Sequence, residues 1–214
     1  MTTALLQTTY FGPIQWYQKL YRYDHCMIEQ HDSFQKQTYR NRCVIATANG
    51  VQALTVPVEH TNLSPLTSHL SPLVKDLRIS DHNQWRRVHW NALQSAYSES
   101  PFFEYYADDL HPFFEQKYDF LVDFNEAIRQ KVCELIDIHP NVEYTTKYQP
   151  SALNPQPSTL TDFRDVINAK HPQPDEGFTP KEYWQVFQHK HGFLPNLSIL
   201  DLLFNMGPES VFFL

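Results

Sequence analysis

Two groups of side chains in this 214-residue sequence are placed to do chemistry. The first is Arg40 with Arg42, flanked by Lys36, Tyr39 and Asn41. Residues two apart on a strand project from one face about 6.6 Å from each other. Arg carries a rigid fork suited to two-point recognition of phosphate or carboxylate, so the spacing predicts an anion clamp. The competing reading pairs each arginine with a surface carboxylate, of which the chain has many. The second group centres on His89, which shares a helical stripe with Trp85, Val88, Ala92, Leu93 and Ala96 and so faces inward. An inward imidazole is either a hydrogen-bonded core residue or a proton-transferring base at a cleft, because its ordinary pKa lies near neutrality. Other clusters carry less. Asp119, Asp123 and Glu126 follow one helix face amid mixed charges, as a solvated surface does. His171 and His189-x-His191 have no cysteine or carboxylate at ligand spacing, so no metal is assigned. No sequence feature names a cofactor.

The elements that must position these groups come next. Arg42 to Ala48 and Val51 to Val58 read as two strands joined at Asn49-Gly50, a dipeptide suited to a two-residue type I′ turn. That turn would set Ala48 opposite Val51, Ile45 opposite Leu54, Cys43 opposite Val56 and Arg42 opposite Pro57. Ala4 to Thr9 reads as a first strand, Pro13 to about Tyr21 as a helix opened by proline at its first position, and His25 to Glu29 as a second strand. Such a unit usually pairs its strands in parallel and puts ligands at the carboxyl end of the first strand, where Gln7 and Tyr10 lie. Gln84 to Ser98 is helical. A long helix is expected from Pro112, with Phe114, Tyr118, Leu121, Phe124, Ile128, Val132 and Leu135 as its core stripe. Val142 to Tyr148 alternates like a strand, and Thr159 with Asp162 resembles a capping pair opening a short helix through Ala169. The stretch 171–180 is loop, a possible lid. A last helix begins after Asn196 or Ser198 and stops at Gly207-Pro208.

Composition excludes several classes. The formal charge is -7, so the chain lacks the cationic footprint of a nucleic-acid binder, and a small anionic or sugar ligand fits a local basic cluster better. Cys26, Cys43 and Cys133 lie far apart without metal spacing, as reduced cytosolic thiols do. The amino-terminal stretch has no basic region or apolar run of signal-peptide type, and no apolar span of eighteen residues occurs, so neither export nor membrane insertion is expected. There is no GxSxG elbow, P-loop or GxGxxG fingerprint, which removes support for hydrolase, kinase and dinucleotide readings.

Four blocks carry a family resemblance. Gln7 with Tyr10-Phe11-Gly12-Pro13, Tyr39-Arg40-Asn41-Arg42 followed by Leu54-Thr55-Val56-Pro57-Val58, Trp85 with His89, and Pro195 to Phe204 together resemble the WbqC-like protein family. The resemblance implies a cytoplasmic protein associated with surface polysaccharides such as O-antigen, with transferase activity on an anionic or nucleotide-linked amino sugar. The alternative is a non-catalytic binding or scaffold protein of the same pathway. It also implies pocket roles for Trp85, Asn196 and Asp201, beside His89 as base and Gln7, Tyr10, Lys36, Tyr39, Arg40, Asn41 and Arg42 as binding residues. The expected fold is one α/β domain over residues 1–214: a small mixed sheet, built from the amino-terminal β-α-β unit and the hairpin 42–58, covered by helices, with a helical middle third.

Overall fold

In a computed structural model, which describes residues 1–59, 71–150 and 160–214, the amino-terminal unit forms as the sequence predicts. Strand β1 (Thr3–Gln7) is followed by helix α1 (Ile14–Arg22) and strand β2 (His25–Glu29). β1 and β2 pair in parallel, from Thr3 opposite His25 to Gln7 opposite Glu29. Leu5, Leu6 and Gln7 are all buried, the pattern of a parallel strand covered on both faces. α1 packs Trp16, Tyr17 and Leu20 into the core, and the Trp16 indole N–H donates to the Gln7 carbonyl at 2.9 Å.

Two short strands complete this sheet. β5 (Val142–Tyr144) adds to β2 and β6 (Leu160–Asp162) adds to β1, giving the order β5-β2-β1-β6 with every pairing parallel. The expected helix from Thr159 to Ala169 is therefore corrected over its described part: Leu160 to Asp162 is strand, and Thr159 lies outside the described residues. Three residues are too few to show a period of two, and β1 supplies the ladder partner that makes them a strand.

The hairpin, strands β3 (Arg42–Thr47) and β4 (Gly50–Thr55), makes a two-stranded sheet of its own and does not join the parallel one. Its register also differs from expectation. Arg42 faces Thr55, Cys43 faces Leu54 and Thr47 faces Gly50, so the two-residue connection is Ala48-Asn49. Only Gly50 takes a positive φ, at 101°, and a type I′ turn over Asn49-Gly50 would need two. The Thr47 hydroxyl fixes the alternative by donating to the Gly50 carbonyl at 2.8 Å and accepting from the Asn49 amide at 3.2 Å. The slip moves each pairing by two residues, so it preserves the faces, and Cys43, Ile45 and Leu54 remain buried.

The middle third is helical: α2 (Trp85–Tyr97), α3 (Phe103–Leu110), α4 (Pro112–Glu115) and α5 (Leu121–Leu135). The single long helix expected from Pro112 is broken, since Gln116 turns to extended backbone and Phe120 stays extended before α5 starts. The apolar stripe is still used: Phe114, Leu121, Phe124, Ile128 and Val132 are core. Helices α6 (Gln188–His191) and α7 (Ile199–Met206) follow, and a 3-10 helix over Gly207–Phe213 comes after α7. The Ser198 hydroxyl caps α7 by accepting from the Leu200 amide at 3.3 Å. Loop 171–180 lies on α1, where Asp175 meets the buried Lys19 ammonium at 2.6 Å.

Candidate functional site

Parallel pairing brings the carboxyl ends of β1, β2, β5 and β6 to one edge, and open α/β sheets bind ligands at that edge. A pocket of about 420 Å³ lies there, lined by His31, Asp32, Ser33, Gln35, Arg40, Tyr148, Arg164 and Asp165. His31 and Asp32 follow β2, Tyr148 follows β5, and Arg164 and Asp165 follow β6.

Glu29, the last residue of β2, ties these loops together. Its wholly buried carboxylate accepts from the His31 amide at 2.7 Å, the Thr145 hydroxyl at 2.7 Å and the Gln149 amide at 2.8 Å, and meets an Arg164 guanidinium nitrogen at 3.4 Å. Arg164 also forks onto Asp162, with its Nε 3.0 Å from one carboxylate oxygen and an Nη 2.6 Å from the other. Hydrogen bonds to a charged carboxylate are worth about 1.5–3 kcal/mol, so Arg164 is held in place before any ligand arrives. In the same pocket, Arg40 pairs with Asp32 and donates to the Thr38 hydroxyl at 3.3 Å. Burial pushes the Asp32 carboxyl above the usual carboxylate range, an effect the Arg40 charge offsets only in part. Asn125 of α5 donates to the Arg40 carbonyl at 2.8 Å and to the Thr8 hydroxyl at 3.1 Å, joining α5, β1 and the Arg40 turn.

Buried polar atoms without a protein partner concentrate around this edge. Among the described residues they include Gln7 Oε1, Thr9 Oγ1, Asp32 Oδ1, Arg40 Nε, Asn41 Oδ1 and Asn125 Oδ1. Each such atom costs roughly 1–3 kcal/mol when it stays unpaired.

The expected site residues divide between this pocket and the core. Arg40 lines the pocket; Arg42 does not, and its Nε donates to the Thr55 hydroxyl at 3.1 Å on the hairpin. The expected Arg40–Arg42 pair is thus separated, because Arg40 lies in the turn before β3, where strand alternation does not apply. Lys36 is exposed in the same turn region. Gln7 donates to the Ile167 carbonyl at 2.5 Å, and Asn41 donates to the Val56 carbonyl at 2.8 Å; both are buried behind the edge. Tyr39 is core, and burial raises its phenol to about 12.

His89 is 4% exposed and does not line the pocket. Its Nδ1 lies 2.9 Å from the Tyr10 hydroxyl, and the ring makes a further hydrogen bond to the Thr55 backbone. Trp85 packs edge-on against it with ring centres 5.1 Å apart, and Tyr10 stacks on Phe124 at 5.7 Å. Burial pulls the imidazole pKa down to about 4, with the Thr55 hydrogen bond opposing, so the ring is neutral at pH 7. Asn196 exchanges hydrogen bonds with Gln15 at 2.9 and 3.0 Å. Asp201, for which the resemblance implies a pocket role, is 1% exposed and accepts from the Tyr97 hydroxyl at 2.8 Å, the Tyr183 hydroxyl at 2.6 Å and Gln185 at 3.0 Å.

Glu29, Asp32, Tyr148, Arg164 and Asp165 were not singled out by the sequence reading. The carboxyl-edge rule that pointed to Gln7 and Tyr10 applies equally to the end of β2, and would have reached Glu29 and Asp32. Arg164 and Asp165 were hidden by the helical reading of 159–169.

A family model described as the WbqC-like protein family matches residues 7–172, well over half of the chain. The chain belongs to the WbqC-like family. All eight pocket residues fall inside the matched stretch, whereas Asn196 and Asp201 lie beyond it. The chain is also similar to "Uncharacterized protein Rv1507c" of Mycobacterium tuberculosis (strain ATCC 25618 / H37Rv), with 25% identity over 97% of this chain and 94% of that protein. No solved structure matches. Among the described residues, no helix is long and apolar enough to cross a membrane, and no group of three His, Cys, Asp or Glu is placed to hold a metal ion.

Proposed function

We propose that the pocket at the carboxyl edge of the parallel sheet binds an anionic sugar, phosphorylated, carboxylated or nucleotide-linked, and that the chain is a transferase of surface-polysaccharide biosynthesis. The observation that carries this reading is the presence of two guanidinium groups, Arg40 and Arg164, lining one pocket, the first held by Asp32 and the second by Glu29 and Asp162. A pinned fork loses little entropy on meeting phosphate or carboxylate, which favours two-point binding. Family membership supports the pathway, and the location at the strand ends supports the site.

A second reading, a ligand-binding protein without chemistry, rests on His89. The residue expected to be the base sits in the aromatic core, bonded to Tyr10, and is absent from the pocket wall. In the transferase reading, His89 acts at a distance by holding Tyr10, whose amide donates to the Tyr39 carbonyl beside Arg40. A thermal-shift screen of the purified chain against nucleotide sugars, sugar phosphates and uronic acids tests the binding claim. A ligand at 100 times its Kd adds about 2.7 kcal/mol to stability, a readily measured shift. Turnover of any hit with an acyl or aminoacyl donor separates the transferase from the binding protein.

A further inference from the structure

The arginines are largely hidden inside the pocket: Arg40 is 3% and Arg164 is 7% exposed. Tyr148 and Asp165 are the opposite. Tyr148 is 51% exposed at the pocket wall, and the Arg164 guanidinium carbon lies 5.5 Å from its ring centre, within cation–π range. Asp165 is exposed on the same wall. The pocket therefore has a buried floor of two ion-paired guanidinium groups, Arg40 with Asp32 and Arg164 with Glu29 and Asp162, and an open rim of one aromatic ring and one carboxylate.

Resting on the anionic-sugar reading, we propose that Tyr148 and Asp165 determine the sugar specificity of this pocket: the C–H face of a pyranose ring lies on the Tyr148 ring, and adjacent hydroxyls donate to the Asp165 carboxylate. The chemistry matches the two groups. An aromatic ring packs against the apolar face of a sugar, which a flexible chain covers less well, and its edges and faces carry the charge pattern that C–H groups meet. A carboxylate accepts two hydroxyl hydrogen bonds at once. Arg164 on the ring and Glu29 behind Arg164 fix the platform's orientation relative to the anion position. At about 420 Å³ the pocket is of the size of small-ligand sites, with room for a monosaccharide and its phosphate. The alternative stacking partner on a nucleotide sugar is its base, and the probes below separate the two.

The test titrates inorganic phosphate, UDP and UDP-glucose into the wild-type chain, Tyr148→Phe, Tyr148→Ala and Asp165→Asn. Tyr148→Ala and Asp165→Asn should each weaken UDP-glucose at least tenfold, on the order of 1.4 kcal/mol. UDP and phosphate should change less than threefold, and Tyr148→Phe should keep UDP-glucose binding because the ring, and not the hydroxyl, does the stacking. Unliganded melting temperatures should match wild type, since both side chains are at the surface. Equal losses for UDP and UDP-glucose in Tyr148→Ala would mean that the ring stacks the base and would overturn the proposal, as would wild-type UDP-glucose affinity in both variants. Wild-type protein that binds neither phosphate, UDP nor UDP-glucose would instead overturn the anionic-sugar reading, and this inference with it.

Discussion

Acid should unfold this protein through His89, by an amount that the structure allows to be worked out. The side chain is buried against Tyr10 and Trp85, and burial holds its pKa at about 4 against an ordinary 6.5. In the unfolded chain the ring regains its ordinary pKa, so between pH 6.5 and 4 the unfolded state binds a proton that the folded state refuses. The folded pKa is depressed; the contribution to stability is therefore fully present above pH 6.5, declines as pH falls and levels off below about 4. A shift from 6.5 to about 4 corresponds to roughly 3 kcal/mol at 1.36 kcal/mol per pKa unit. His89→Gln isolates this effect. Its amide accepts from the Tyr10 hydroxyl and donates towards the Thr55 backbone much as the neutral imidazole does, but it cannot titrate. Urea unfolding of both proteins at pH 7, 5.5 and 4 should show the wild type losing about 3 kcal/mol more than the variant. Subtracting the two profiles removes the buried carboxylates Asp32 and Asp201, which burial raises in the opposite sense. Parallel profiles would refute the reasoning and place the ring in contact with solvent.

Three further outcomes follow from the geometry. Gly50→Val should lower stability by about 1–3 kcal/mol, because φ is 101° while an added Cβ meets nothing within 4 Å; the cost is backbone strain alone, read as a melting temperature lower by several degrees. Asp201→Asn should cost roughly 3 kcal/mol, since two tyrosine hydroxyls and Gln185 all donate to this buried carboxylate and an amide cannot accept from all three; urea unfolding at pH 7 checks it. Glu29→Gln should release Arg164 and the 145–149 loop, weakening UDP-glucose binding at least tenfold in the same titration that scores Tyr148, with phosphate weakened as well.

Much of the scaffold was legible in the sequence because its signals are local. Pro13 marks the start of α1 and stands at its N-cap, the run Ala4 to Thr9 reads as a strand where Thr3 to Gln7 forms one, and the spacing of Trp85, His89 and Leu93 places the imidazole inward, where it lies. The hairpin was legible in its faces but not in its register, since the Thr47 hydroxyl chose between two turns that leave the same residues buried. The site was less legible for a topological reason. Its residues follow three strands, and one of these, Leu160 to Asp162, exists only because β1 offers a ladder. Without that strand, Arg164 reads as a helix surface charge and Arg42 looks like the better partner for Arg40. The break after α4 leaves no mark in the sequence pattern because the apolar stripe continues across it.

In the proposed function, Arg164, together with Arg40, binds the anion of a sugar ligand at the carboxyl edge of the sheet. Titration of a confirmed sugar ligand into the wild-type chain, Arg164→Lys and Arg42→Lys tests it most directly. Lysine keeps the charge and loses the fork. Arg164→Lys should weaken binding at least tenfold, about 1.4 kcal/mol, while Arg42→Lys on the hairpin should bind like wild type. Wild-type affinity in Arg164→Lys, or a tenfold loss in Arg42→Lys, would contradict the assignment of this pocket.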